Sequence, residues 1–139
     1  MFRSIARIGA IVLILAAAAL APSAPASADS GGGCRNHGTF SNPYVCISVR
    51  SGMTNGLVGD FYLNSTPSGE RRANIQIIAW CGGSIAAISN PYWWTIVPNH
   101  SPAVGLYKPC STGYARTNVN FYNVNNSFMY TATSPYQYW

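Results

Sequence analysis

The sequence predicts a small all-β domain, built as an antiparallel β-sandwich that two disulfides hold together. Short segments alternate apolar and polar residues, and turn signals separate them about every 8–12 residues, as in all-β domains. No stretch after residue 28 shows the sustained apolar spacing at three and four residues that a long helix needs. The chain has four cysteines, an even number that indicates a disulfide framework in a small exported domain.

Residues 1–28 have the features of a cleaved secretory signal peptide. Arg3 and Arg7 make the start positively charged, residues 8–21 are apolar, and residues 26–28 (Ala-Ser-Ala) fit the small-x-small pattern before a cleavage site. The apolar stretch is shorter than the about 20 residues of a membrane-spanning helix. We therefore expect a secreted, extracellular protein with no membrane span after cleavage. The alanine-rich signal is typical of a bacterial protein.

Cleavage after Ala28 would leave 139 − 28 = 111 residues, which fits one domain. Residues 29–33 are rich in glycine and are expected to form a flexible leader, followed by a single disulfide-stabilised β-domain over residues 34–139. The mature part keeps six of the eight Lys and Arg residues and all three Asp and Glu residues. Only Arg71 and Arg72 are adjacent, so the charge pattern does not indicate nucleic-acid binding.

The alternation predicts the strands in chain order. We expect them over residues 44–50, 57–64, 74–81, 84–89, 92–97, 103–107, 114–122 and 128–133. The first two form a hairpin, because Asn55-Gly56 between them is a strong turn dipeptide. Residues 74–81 are the expected central strand, with both faces largely covered and Trp80 as the best core candidate. In residues 114–122 the side chains expected to face outward are those of Arg116, Asn118, Asn120 and Tyr122.

The cysteine spacing favours the pairs Cys34–Cys46 and Cys81–Cys110, because pairing nearest neighbours closes the shorter loops. Zinc binding would need a C-x-x-C motif or clustered histidines, and neither is present. We therefore expect no metal and no cofactor. The predicted sandwich shares its architecture with immunoglobulin-like domains by analogy only, which implies no activity, and a small barrel is the alternative.

The ionisable residues do not predict an enzyme. A glycosidase needs two carboxylates facing each other across a cleft, and Asp60 and Glu70 are the only candidate pair. We expect Asp60 to point away from the core and Glu70 to lie in a solvated surface loop. His37 and His100 are expected in exposed loops, and there is no G-x-S-x-G motif. No catalytic residue is therefore assigned.

The many tyrosines and tryptophans predict a binding protein, although covering the core is the alternative use of the exposed aromatic residues. Trp93 and Trp94 are adjacent in a strand, so they point to opposite faces and one of them is exposed. The candidate surface residues are Trp93, Trp94, Tyr136, Tyr138, Trp139, Arg71 and Arg72.

Three functions fit these residues. The first is an inhibitor of an extracellular hydrolase that uses the loops of residues 65–72 and 98–102, with Arg71 and Arg72 entering an acidic pocket of the partner protein. The second is a cell-wall or polysaccharide-binding module that uses the aromatic residues. The third is a small antimicrobial or toxin-like protein, indicated by size, export and mild positive charge. The oligomeric state is left open.

Overall fold

A computed structural model describes residues 30–38, 41–50, 56–63, 67–97 and 99–139, and the predicted signal peptide lies outside them. Within the described residues the regular secondary structure is all strand, which confirms the predicted all-β class. The strands are β1 (Ser30–Gly31), β2 (Gly33–Asn36), β3 (Pro43–Val49), β4 (Gly56–Leu63), β5 (Arg72–Cys81), β6 (Ser84–Ile88), β7 (Tyr92–Thr95), β8 (Asn99–His100), β9 (Val104–Tyr107), β10 (Tyr114–Tyr122), β11 (Phe128–Thr133) and β12 (Gln137–Tyr138).

The strands form two antiparallel sheets. Sheet A has the order β1-β12-β10-β5-β6, with β11 also pairing with β10 and β7 also pairing with β5. Sheet B has the order β2-β3-β4-β8, with β9 also pairing with β4. The predicted β3–β4 hairpin is confirmed, although most of the residues that connect its strands lie outside the described part of the chain. The two sheets face each other across one hydrophobic core, as the predicted sandwich requires.

The core is built from the inward side chains of the long strands. Ile75 and Ile77 of β5 and Val119 of β10 are fully buried, and they alternate with outward residues along each strand. Phe61 of sheet B meets Phe121 of sheet A edge to face, with ring centroids 5.2 Å apart. This pattern of one buried and one outward side is what the period of two in the sequence predicts.

Trp80 is an exception to the expected core. It projects from the outer side of sheet A, where it is only half-buried, while its neighbour Ala79 is fully buried in the core. The small Ala79 and the two isoleucines before it fill the inner side of β5, so the alternation sends the large indole outward. The prediction that Trp80 lies in the core is therefore wrong, and the outer side of β5 is only partly covered.

Both predicted disulfides are confirmed. Cys34 and Cys46 are direct partners on the paired strands β2 and β3. Cys81 at the end of β5 is bonded to Cys110 in the connection that precedes β10. One bridge therefore staples two neighbouring strands of sheet B, and the other holds the connection before β10 against the end of the central strand of sheet A.

The predicted leader, residues 29–33, overlaps β1 and the start of β2. Ser30 pairs with Tyr138, and the Gly32 N–H donates to the Tyr136 carbonyl oxygen at 2.8 Å. The edge of sheet A supplies these backbone partners. A glycine-rich composition gives no indication of them, because they come from the other end of the chain.

Candidate functional site

The outer face of sheet A collects most of the predicted binding residues. It is formed by alternate residues of β5 and β10, which lie directly opposite one another in the antiparallel register. The facing pairs are Trp80 with Tyr114, Ile78 with Arg116, Gln76 with Asn118, Asn74 with Asn120, and Arg72 with Tyr122. Because cross-strand partners on one face lie about 5 Å apart, these residues form five parallel rows across the sheet.

At one end of the face lies the Trp80 cluster, which we define as Trp80, Tyr114, Tyr136 and Tyr138. Trp80 and Tyr114 are stacked with ring centroids 5.3 Å apart, and Tyr114 meets Tyr136 edge to face at 5.2 Å. Tyr138 keeps 47% of its surface exposed. The cluster thus brings the predicted residues Tyr136 and Tyr138 together with Trp80 and Tyr114, which the sequence did not indicate as binding residues.

At the other end lies the Trp93 cluster, which we define as Trp93, Tyr122 and Phe128. Trp93 and Tyr122 have ring centroids 5.0 Å apart, and Phe128 meets Tyr122 edge to face at 5.9 Å. Trp93 is 47% exposed, and the guanidinium of Arg72 lies 5.2 Å from its ring centroid. The predicted residues Trp93 and Arg72 therefore belong to one group.

Between the clusters lies a polar belt of amides and hydroxyls. Its members are Asn74, Gln76, Asn118, Asn120, Thr131 and Thr133. The Thr131 hydroxyl donates to Asn120 Oδ1 at 2.6 Å. Asn118 Oδ1 is buried and has no hydrogen-bond partner. A buried amide oxygen without a donor is costly, so Asn118 contributes less to the stability of the fold than an amide with a partner would.

Arg116 stands between the Trp80 cluster and the polar belt. Its guanidinium carbon lies 5.6 Å from the ring centroid of Trp80 and 5.6 Å from that of Tyr136. Its Nη1 donates to the Tyr136 hydroxyl at 3.4 Å, and its Nε is buried without a partner. Two rings therefore fix the position of this cation. The alternation in β10 predicted that Arg116 faces outward, but it did not indicate which rings surround it.

Trp94 and Trp139 lie away from this face. Trp94 packs edge to face on Phe61 with centroids 5.4 Å apart. Trp139 is only 4% exposed, its indole Nε1 donates to the Cys110 carbonyl oxygen at 2.8 Å, and Lys108 lies over its ring. As predicted, Trp93 and Trp94 point to opposite sides of their strand. Trp139 covers the core, which is the structural use that the sequence left open.

The loop of residues 65–72 does not present a solvated acid, and its residues 65–66 lie outside the described part. Glu70 is fully buried, so the expected exposed carboxylate is wrong. Its carboxylate accepts hydrogen bonds from the N–H groups of Ser41 and Ser68 and from the Tyr130 hydroxyl. These donors stabilise the anion in place of water, so Glu70 joins three separate segments. Arg71 donates from Nη1 to the Glu70 carbonyl oxygen at 3.0 Å.

The hydrogen bonds also determine the protonation of this group. Burial alone would raise the pKa of the Glu70 carboxyl, but the hydrogen bonds from its own backbone, from Ser41 and from Tyr130 together hold that pKa below its ordinary value. Burial, and then the bond to Glu70, raise the pKa of the Tyr130 hydroxyl, so this hydroxyl stays protonated and donates. Glu70 therefore acts as a buried anion that connects the segments.

The outer face of sheet B carries an acid–base pair that the sequence did not indicate. His100 Nε2 lies 2.8 Å from Asp60 Oδ2, and the His100 ring lies against Tyr62 with centroids 4.3 Å apart. The two partners are 40 residues apart in the chain, and only the pairing of β4 with β8 brings them together. Asp60 and Glu70 do not face a common cleft, because Asp60 points outward from sheet B.

Sheet B also has a shallow groove of about 240 Å³ beside β4 and β9, lined by Arg50, Leu57, Leu106 and Tyr107.

Among the described residues, no group of three or more His, Cys, Asp or Glu side chains is placed to hold a metal ion. The same residues include no helix with the length and hydropathy needed to cross a bilayer.

Comparisons with protein-family models, with curated proteins and with solved structures found no match to this chain. The function of the protein is therefore inferred from the chemistry of the outer face of sheet A.

Proposed function

We propose that the mature protein is a secreted, non-enzymatic domain that binds a polysaccharide of the cell envelope through the outer face of sheet A. The observation that carries this proposal is the order of groups on the face, with an aromatic cluster at each end and the polar belt between them. The apolar side of a sugar ring packs on an aromatic ring, and its hydroxyls exchange hydrogen bonds with amides and hydroxyls.

The dimensions of the face favour an extended ligand. Trp80 and Asn74, which faces Trp93, are six positions apart on β5. At a rise of about 3.3 Å per residue, this separation corresponds to about 20 Å along the strand. A single sugar unit is too short to contact both clusters, whereas a linear polymer would contact both and cross the polar belt.

The disulfides and the ionisable groups are consistent with this proposal. Two disulfides and no free cysteine in the described residues are typical of an extracellular protein. Among the described residues, Glu70 is committed to internal hydrogen bonds and Asp60 lies on the outer face of sheet B, so these two carboxylates do not face each other as those of a glycosidase do. The proposed binding function depends instead on the exposed rings and polar side chains of the outer face of sheet A.

The hydrolase-inhibitor hypothesis has less support and stays a prediction. Arg71 is held on the Glu70 carbonyl, and Arg72 belongs to β5 with its guanidinium over Trp93. The two arginines therefore do not project together from one loop into a pocket of a partner protein. The antimicrobial or toxin-like hypothesis also stays a prediction, because it depends only on size, export and charge.

A pull-down of the mature protein on insoluble cell wall, chitin and cellulose tests the proposal. We expect retention on at least one of these polymers, and we expect Trp93→Ala and Tyr138→Ala each to reduce it about tenfold or more, since each removes an exposed ring from one cluster. Tyr62→Ala is the matched control, because Tyr62 is 42% exposed on the outer face of sheet B.

The pull-down has two outcomes that contradict the proposal. One is that no polysaccharide retains the wild-type protein. The other is that Tyr62→Ala reduces retention as much as the two substitutions on sheet A. Thermal unfolding of each variant, measured beside the pull-down, shows that the variants compared are folded.

A further inference from the structure

Within the proposed function, we infer that the polysaccharide is anionic and that Arg72 and Arg116 bind its acidic groups. The distribution of charge on sheet A is the first reason. The whole chain has three acidic residues. Among the described residues, Asp60 lies on sheet B beside His100 and Glu70 is buried inside the domain. The outer face of sheet A therefore carries two arginines and, in its described part, no Asp or Glu side chain.

The second reason is the state of the Arg116 side chain. Its guanidinium carbon lies 5.6 Å from the ring centroids of both Trp80 and Tyr136, so the group packs against two rings, and its buried Nε has no partner within the chain. A planar guanidinium presents its N–H groups in a fixed fork that matches the two oxygens of a carboxylate, phosphate or sulfate. Because packing already fixes this fork, little conformational entropy remains to be lost when an oxyanion binds.

Arg72 repeats the arrangement at the opposite end of the face. Its guanidinium lies over Trp93, and its Nη1 donates to Asn126 Oδ1 at 3.0 Å, so both arginines are positioned by a ring and by one neutral acceptor. In the described residues the one contact at salt-bridge distance is that of His100 Nε2 with Asp60 Oδ2. No Asp or Glu side chain of the described residues is paired with either arginine.

The spacing of the two arginines selects a polymer. Arg116 faces Ile78, which is six positions from Arg72 on β5. The two cations are therefore about 20 Å apart along the strand, which is too far for a small anion to bridge and suits a chain with repeated charges. With only two cations, and amides and hydroxyls between them, the face fits a polysaccharide better than a nucleic acid, which is bound by a denser basic stripe.

The shared chemistry of the ligand is an oxyanion repeated along a polysaccharide. Carboxylates of uronic acids and phosphodiesters of teichoic-type polymers are its two sources. Affinity electrophoresis with polygalacturonate, a purified teichoic acid, neutral dextran and a neutral xylan distinguishes them. We expect retardation by one or both anionic polymers and weaker retardation by the neutral ones.

Salt and substitutions then test the role of the arginines. Raising the ionic strength from about 0.01 M to about 0.15 M shortens the screening length from about 30 Å to about 8 Å, so we expect affinity for the anionic polymer to fall. Arg116→Gln and Arg72→Gln should each weaken binding of that polymer about tenfold, since each removes charge-assisted hydrogen bonds. Arg35→Gln is the matched control, because it removes the same charge from β2 in sheet B.

Arg116→Lys separates the shape of the group from its charge. Lysine keeps the positive charge and loses the planar fork, so we expect an affinity between those of the wild type and Arg116→Gln. Thermal unfolding checks that each variant is folded. If Arg116→Lys and Arg116→Gln both bind like the wild type, Arg116 does not bind the polymer and the inference is overturned.

The outcomes separate this inference from the proposed function. Equal, salt-independent retardation by neutral and anionic polymers would overturn the inference and leave polysaccharide binding in place. Retardation by none of the polymers would overturn the inference, and a lack of retention in the pull-down on cell wall, chitin and cellulose would overturn the proposed function as well. Equally strong binding of double-stranded DNA or of vesicles that contain phosphatidylglycerol would show that the face recognises charge alone, which contradicts a polysaccharide ligand.

Discussion

The outer faces of the two sheets differ in how their polar groups are partnered. On sheet B, Cys34 is bonded to Cys46 and Asp60 is paired with His100. On sheet A, Arg116 Nε and Asn118 Oδ1 are buried without a partner, and exposed rings lie on both sides of them. Groups that are satisfied within the chain stabilise the fold, whereas a buried group without a partner costs stability, and the exposed rings beside it can contact a ligand. We therefore expect substitutions on sheet B to change stability and those on sheet A to change binding.

The largest expected effect comes from removing the disulfide on the outer face of sheet B. Replacing both Cys34 and Cys46 by Ser should lower the free energy of unfolding by about 3 kcal/mol, because the bridge restricts the unfolded chain. Urea unfolding measures this change. In the absence of urea, the folded variant should be retained on polysaccharide as well as the wild type is. A loss of retention under these conditions would show that the disulfide face of sheet B also takes part in binding.

The next effect concerns Glu70, which lies inside the domain and belongs to neither outer face. Glu70→Gln should lower the free energy of unfolding by about 2 kcal/mol at neutral pH, because hydrogen bonds to a buried anion are lost. Retention on polysaccharide should not change.

The pH dependence gives the same substitution a second readout. The pKa of Glu70 is lowered in the folded protein, so its contribution to stability is complete above the unfolded pKa of about 4.3 and is lost as the pH falls through the folded pKa. Urea unfolding between neutral and acidic pH should therefore show a steeper acid loss in the wild type than in Glu70→Gln. Identical acid profiles would contradict the role of the Glu70 carboxylate.

A smaller effect of opposite sign is expected for Asn118 on sheet A. Asn118→Thr removes a buried amide oxygen that lacks a partner and places a β-branched residue in a strand, so stability should rise by up to about 1 kcal/mol. Polysaccharide binding should weaken at the same time. Asn120→Thr is the matched control, because Asn120 accepts a hydrogen bond from Thr131, and its loss should lower stability by about 1 kcal/mol. If both variants lose the same stability, Asn118 Oδ1 has a hydrogen-bond partner in the folded protein, and the expected difference between Asn118 and Asn120 is wrong.

The smallest effect is expected for the acid–base pair on sheet B. His100 is 44% exposed and Asp60 is 18% exposed. A pair in contact with solvent contributes at most about 1 kcal/mol, so Asp60→Asn should shift the urea midpoint only slightly. Retention on polysaccharide should be unaffected. A large drop in retention would place the binding surface on sheet B instead of sheet A.

The candidate face could be predicted in part. The alternation in residues 114–122 predicts the outward side chains of β10. The adjacent positions of Trp93 and Trp94 in one strand predict that they point to opposite sides. The position of Trp80 could not be predicted, because alternation gives two faces for a strand and does not tell which one meets the other sheet. The burial of Glu70 could not be predicted for a different reason. The donors to its carboxylate come from Ser41, Ser68 and Tyr130, which no local pattern connects.

Local periodicity, turn residues and short loop closure are enough to predict the all-β class, the hairpin of β3 and β4, and both disulfide pairs. No local pattern predicts that β10 lies beside β5, which places Arg116 next to Trp80 and Tyr136. The register between distant strands depends on how their buried sides fill the core, and that fit exists only in the folded protein. The outer face, with its two aromatic clusters and Arg116, follows from this register.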